Sequence, residues 1–133
     1  MKYTSRTRMI GDTLQLGLAG LGTVGSGVYE TLCRNYKLLE ARAQISFAVK
    51  KVAVGNMHRE REVQIDSALL TDDWHDLVND PEIDIIIELI GGTNEAYKLI
   101  KAALEAGKPV VTGNKAVLAE YGSELFQLSS EQG

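Results

Sequence analysis

Hydrophobic positions along the chain change period several times, and each change marks an element. Leu14, Leu16 and Leu18 alternate with Gln15, Gly17 and Ala19, the period of two that a strand requires. That run enters Gly20-Leu21-Gly22-Thr23-Val24-Gly25, after which Val24, Val28 and Leu32 recur at helical spacing to about Tyr36. Lys37 to Ser46 is polar and loosely patterned. Val-rich Phe47 to Val54 reads as a second strand, closed by the turn-forming pair Gly55-Asn56. His58 to Glu62 reads as a charged loop, Leu69 to Thr71 as a very short strand, and Asp73 to Asn79 as one or two helical turns capped by an acidic residue. After an Asp80-Pro81 turn, Ile83 to Ile90 is almost continuously apolar, the pattern of a strand buried on both faces of a parallel sheet, and Gly91-Gly92-Thr93 closes it. Ala96, Leu99, Ile100, Ala103 and Leu104 share one helix face, with Gly107 as a stop signal. Val110 to Thr112 is another short strand, and Val117 to Leu128 a helix weakened at Gly122.

Strands alternating with helices predict an α/β fold, a doubly wound parallel sheet with right-handed crossovers. At most five strands can be counted, where a complete doubly wound nucleotide domain has six, so the sheet is expected to lack its last strand. Residues 1–13 are expected to form a mobile leader and residues 14–133 a single domain, which suits a chain of 133 residues.

Composition adds exclusions. A net charge of −4 argues against nucleic acid or an anionic membrane as the main partner. The longest apolar run is interrupted by Glu88 and is too short to span a bilayer, and no signal-peptide pattern follows the basic start. The single cysteine, Cys33, excludes an internal disulfide and suits a cytoplasmic setting; on its helix it is expected to be a buried structural thiol. His58 and His75 have no cysteine or carboxylate at ligand spacing, so no metal site is expected. Trp74 is expected to anchor the short helix against the sheet.

Candidate chemistry lies where strands end. Gly20-x-Gly22-x-x-Gly25 joins a strand to an amphipathic helix, the context in which this motif binds a dinucleotide. Gly20 would permit the tight turn, Gly22 the close approach of a pyrophosphate, and Gly25 the packing of helix on strand. The helix N-terminus would offer unpaired N–H groups to the phosphates. At the end of the second strand, an acid would select NAD and a nearby arginine NADP. Gly55-Asn56 supplies neither; Arg59 and Arg61 follow closely and lean the choice slightly to NADP, although Glu60 and Glu62 could equally hold them in a solvated loop. Glu88-Leu89-Ile90-Gly91-Gly92-Thr93 follows the strongest strand, where paired glycines let backbone lie against a nicotinamide or ribose; Glu88 there needs a partner or solvent. Thr112-Gly113-Asn114-Lys115 follows the last strand, and its lysine could reach a ligand or sit at the surface.

Three stretches in this order, Gly20 to Val28, Glu88 to Gly92 and Ala103 to Ala116, resemble homoserine dehydrogenase, with the likeness running from about Leu14 to the C-terminus. The resemblance implies a Rossmann-type NAD(P)-binding domain and, for the whole protein, interconversion of L-homoserine and L-aspartate 4-semialdehyde in threonine and methionine biosynthesis. It implies that Leu21, Thr23 and Val24 line the pyrophosphate site with the three glycines. It places Gly91 and Gly92 near the nicotinamide side and matches Lys115 to the family's lysine that touches both cofactor and substrate regions, with a catalytic role; Thr93 and Asn114 are further candidate cofactor-binding residues. A second half, expected to lie outside this chain, would supply most substrate contacts and a homodimer interface, leaving the chain inactive alone. Departures from the family pattern are Gly55 in place of a frequent Arg or Lys, Thr93-Asn94-Glu95 where a Pro is common, and Gly113 for a frequent Ala. Two other readings share the same half: a stand-alone NAD(P)-sensing or regulatory module, and the cofactor half of a different nicotinamide dehydrogenase.

Overall fold

The computed structural model describes residues 13–43, 46–55 and 67–132. The expected leader and the charged loop with Asn56, His58, Arg59 and Arg61 therefore lie outside the described residues, although Thr13 already belongs to the first strand. The elements are β1 (Thr13–Ala19), α1 (Thr23–Ala43), β2 (Ser46–Ala53), a 3-10 turn (Ser67–Leu69), β3 (Leu70–Thr71), α2 (His75–Val78), β4 (Ile85–Glu88), α3 (Asn94–Glu105), β5 (Val110–Thr112) and α4 (Lys115–Gln132). All strand pairs are parallel, in the order β3-β2-β1-β4-β5. The order reverses beside β1, which creates the switch point where such sheets bind ligands.

Neighbouring strand residues feed opposite layers. Ala19, Ala53 and Ile86 pack with Leu77, Leu99 and Ala103 of α2 and α3. Leu18, Val52 and Ile87 pack toward Val28 and Tyr29 of α1. Helices thus cover both faces, and a third cluster, including Ile100, Val117 and Leu125, joins α3 to α4. β1 lies close under its cover: a side-chain carbon on Gly17 would stand 3.1 Å from the Ile83 side chain.

Several boundaries differ from expectation for identifiable reasons. α1 continues to Ala43 instead of ending near Tyr36, because Leu38, Leu39, Ala41 and Ala43 are strong helix formers that need no apolar stripe. In β4 the ladder covers only Ile85–Glu88, although the apolar run is longer: Ile83 is buried but donates to the Asp80 carbonyl at 3.2 Å. Ile86 is buried while Ile85 and Ile87 are half-buried, so burial is less even across the two faces than the run suggests. α4 opens at Lys115 and passes through Gly122 unbroken. Cys33 is exposed, contrary to the expected buried thiol. It sits beside the inward stripe of α1, at the rim of an open groove with Tyr29, Leu32 and Phe47.

Buried polar groups pin the ends of the strands opposite the site. Lys108 is 2% exposed; its Nζ donates to the carbonyls of Asp80 at 2.6 Å and Ile83 at 2.7 Å, while burial pushes its pKa down. Asp84 accepts the Gln15 N–H at 2.8 Å. In β2 the register skips one residue opposite Leu16–Gly17, which frees Lys50 to pair with Asp80 at 2.6 Å and Glu82 at 2.8 Å. Among the described residues, no helix is long and apolar enough to cross a membrane.

Candidate functional site

The turn leaving β1 is built around backbone contacts that exclude side chains. Gly20 has φ +105° and donates its N–H to the Ala53 carbonyl at 2.8 Å. A side-chain carbon there would lie 2.7 Å from the Leu89 carbonyl oxygen. At Gly25 such a carbon would lie 2.2 Å from the Gly20 oxygen, so α1 rests directly on the turn. Ser26 is buried and closes the first helical turn, its hydroxyl donating to Leu21 at 3.1 Å and its N–H to Gly22 at 2.8 Å. Gly22 is different: a carbon added there meets nothing within 4 Å.

That open space belongs to a crevice of about 460 Å³ over the ends of β1, β2 and β4. Gly20, Leu21 and Gly22 form one wall, Ala53 to Gly55 another, and Leu89, Ile90 and Gly91 a third. Asp72, Trp74 and Glu95 complete it. The first turn of α1 carries no acidic residue, so its unpaired N–H groups and positive dipole end are available to an anion. Trp74 packs against the core, stacks on His75 at 3.7 Å and donates its indole N–H to Glu95 at 3.1 Å. This bond, aided by Lys98, holds the Glu95 carboxyl below its ordinary pKa.

A second crevice of about 380 Å³ adjoins the first and shares Leu89, Ile90 and Gly91 with it. Its remaining walls are Glu88, Gly92 and Gly113 to Lys115. Gly92 has φ +78°, which lets the chain turn sharply after β4. Asn114 donates its amide to the Gly92 carbonyl at 2.7 Å and accepts the Val117 N–H at 3.1 Å, so it caps α4 while tying the two loops together. Glu88 is 1% exposed and fully engaged: it accepts the Ile90 N–H at 2.8 Å and the Thr112 hydroxyl at 2.5 Å. Lys115 stands exposed at the first position of α4, and its side chain makes no hydrogen bond or ion pair to another described residue.

Residues 20–133 match the family model for the homoserine dehydrogenase NAD-binding domain. The chain belongs to that family. It is 44% identical over 115 residues to homoserine dehydrogenase of Methylobacillus glycogenes, covering 86% of this chain and 28% of that protein. The Bacillus subtilis homoserine dehydrogenase is 38% identical over 120 residues, covering 90% of this chain and 28% of the relative. The crystal structure of the S. aureus homoserine dehydrogenase at pH 7.0 superposes with a TM-score of 0.84 at 33% identity, covering 92% of this chain and 31% of that one. The chain thus spans under a third of the length of these relatives.

Within this homoserine dehydrogenase domain, the residues singled out by sequence gather at one edge of the sheet. Gly20, Leu21 and Gly22 line the first crevice, Gly92, Asn114 and Lys115 the second, and Gly91 both. Gly25 lies beneath, as a packing glycine. Thr23 and Val24 open α1, and their side chains are outside the described residues. Thr93 lines neither crevice; it is the N-cap of α3, its carbonyl accepting the Tyr97 N–H at 3.0 Å. Asp72, Trp74 and Glu95 were not anticipated as lining residues. Asp72 and Trp74 follow β3 directly, so the rule that ligands meet strand C-termini could have drawn them in. Beyond anchoring α2, Trp74 forms a wall of the crevice. Among the described residues, no cluster of His, Cys, Asp or Glu could hold a metal ion.

Proposed function

We propose that this chain is the cofactor-binding portion of a homoserine dehydrogenase, acting on L-homoserine and L-aspartate 4-semialdehyde in the cytoplasm together with a substrate-binding portion outside these 133 residues. Gly22 carries the reading. Neighbouring backbone fills the space around Gly20 and Gly25, whereas Gly22 faces an open crevice at a helix N-terminus. That arrangement fits a pyrophosphate. The adenosine side then points toward Gly55 and Asp72, and the nicotinamide side toward Gly91, Gly92 and the Lys115 loop. Arg59 and Arg61, just beyond β2, tip the cofactor choice to NADP, and the Asp72 carboxylate keeps that preference small by opposing a second phosphate.

A bound nicotinamide supplies the hydride donor or acceptor. The chain's own contribution is to hold and orient. Backbone N–H groups of the α1 turn bind phosphate, the glycine turn after β4 gives flat access to the ring, and Lys115 faces the substrate side. As the ammonium, its Nζ can hold the substrate oxygen by a charge-assisted hydrogen bond and give it a proton as carbonyl becomes alcohol; as the neutral amine it can take that proton back in the reverse direction. Without the remaining substrate contacts, near-attack geometry is lost and the chain alone turns over no homoserine. Calorimetric titration of the chain with NADPH and NADH tests the reading. Binding at about millimolar or tighter (~−4 kcal/mol) is expected, with NADPH favoured. Replacing Arg59 and Arg61 together by alanine should erase that preference. No heat with either cofactor would refute the reading.

A further inference from the structure

We propose that Glu88 is a positioning residue for the nicotinamide side of the site, holding the glycine turn after β4 and the lysine loop after β5 in one fixed arrangement. The inference rests on the cofactor reading above. Glu88 and Thr112 are register partners across β4 and β5, at the last position of each strand. Immediately beyond them lie two irregular segments, Leu89 to Thr93 and Gly113-Asn114. Side-chain carbons added at Gly91, Gly92 or Gly113 would meet nothing within 4 Å, so neighbouring atoms do little to confine these backbones. A chain of hydrogen bonds does so instead. One Glu88 oxygen accepts the Ile90 N–H at 2.8 Å and the other the Thr112 hydroxyl at 2.5 Å. Thr112 Oγ1 in turn accepts the Asn114 N–H at 3.0 Å. The Asn114 amide returns to the first segment, donating to the Gly92 carbonyl at 2.7 Å. The ring of contacts closes on the residue next to Lys115.

Stability alone does not explain a carboxyl at this position. Ile85, Ile86 and Ile87 precede it, and another apolar residue would pack without the desolvation that a buried carboxyl must recover through bonds. Both oxygens are spent on atoms that set loop geometry, one on each side of the second crevice. A glutamine keeps the Ile90 contact only by turning its amide toward Thr112, which reverses the second bond: the amide would donate to Thr112 Oγ1, and the Thr112 hydroxyl proton would lose its acceptor.

The test compares two ligands on the 133-residue chain: NADPH, and 2′-phospho-ADP-ribose, which lacks the nicotinamide. The variants are Glu88→Gln, Thr112→Val and Thr112→Ser. Glu88→Gln and Thr112→Val should weaken NADPH about tenfold, the effect of one displaced hydrogen-bonded contact, and leave the nicotinamide-free ligand within about twofold. Thr112→Ser keeps the hydroxyl and should bind both ligands as the parent does. Equal losses for both ligands would mean a general structural role and overturn the proposal. It is also overturned by a parent chain that binds the two ligands equally, or by variants that leave the affinity ratio unchanged. A parent chain that binds neither ligand would instead refute the cofactor reading, and the Glu88 role with it.

Discussion

Valine at Gly22 and alanine at Gly25 should fail in opposite ways, although both replace glycines of one turn. Gly22 has open space around it and no positive φ, so Gly22→Val should change folding stability by no more than about 0.5 kcal/mol. Its isopropyl group would project into the crevice where the pyrophosphate is placed. Backbone hydrogen bonds to a charged group contribute about 1.5–3 kcal/mol each. Losing one or two of them lowers affinity by about 3 kcal/mol, roughly a hundredfold. Gly25→Ala would instead set a carbon 2.2 Å from the Gly20 oxygen, where real contacts stay above 3.0 Å. α1 must then lift from β1, at a cost of about 1–3 kcal/mol and several degrees in Tm. The chain's one tryptophan, Trp74, lines the crevice, so energy transfer from it to a reduced nicotinamide reports binding, and thermal melting reports stability. A Gly22→Val chain that still binds like the parent would refute the pyrophosphate placement. An undiminished Tm for Gly25→Ala would refute the close packing of α1 on the turn.

Two further outcomes are expected. In a full-length enzyme carrying this domain, Lys115→Ala should lower kcat at least about a hundredfold while sparing the fold and adenosine-side affinity, and Lys115→Arg should not restore it, as steady-state kinetics would show; near-full activity in the alanine variant would return Lys115 to the surface. At Asp80, burial raises the carboxyl pKa, but the hydrogen bond and charge of Lys50 and the Glu82 N–H outweigh it, so the net shift is downward. A folded-state pKa below the unfolded one contributes stability above about pH 4 that is lost as pH falls through the folded value. Asp80→Asn should therefore cost about 1 kcal/mol at neutral pH and flatten the acid limb of the stability curve, measured by urea unfolding from pH 3 to 7; an unchanged limb would contradict the pairing.

Periodicity and glycine spacing carried most of the fold, because both strand alternation and the turn at Gly20 are local properties of the chain. Where they fell short, the missing information was tertiary. The ladder of β4 is shorter than its apolar run because Ile83 enters from a turn held by Asp80. Cys33 is exposed because the inward stripe of α1 passes through its neighbours Tyr29 and Leu32. The network of Glu88, Thr112 and Asn114 depends on β4 and β5 lying side by side in a given register, and 24 residues separate Glu88 from Thr112 along the chain. Spacing along one strand shows that Glu88 needs a partner without showing which. Asp72 and Trp74 come to the crevice from the link between β3 and α2 and Glu95 from the first turn of α3, and only the switch in strand order brings them beside Gly22.

Amide chemical-shift mapping of the isotope-labelled chain during titration with NADPH tests the placement of the cofactor most directly. Saturable shifts should cluster at Gly20 to Gly25, at Leu89 to Gly92 and at Gly113 to Lys115, with the largest at Gly22 and the first turn of α1. Shifts confined to other parts of the surface, such as the groove beside Cys33, or no shifts at several millimolar cofactor, where about millimolar binding would already be near saturation, would contradict a dinucleotide site at the switch point of this sheet.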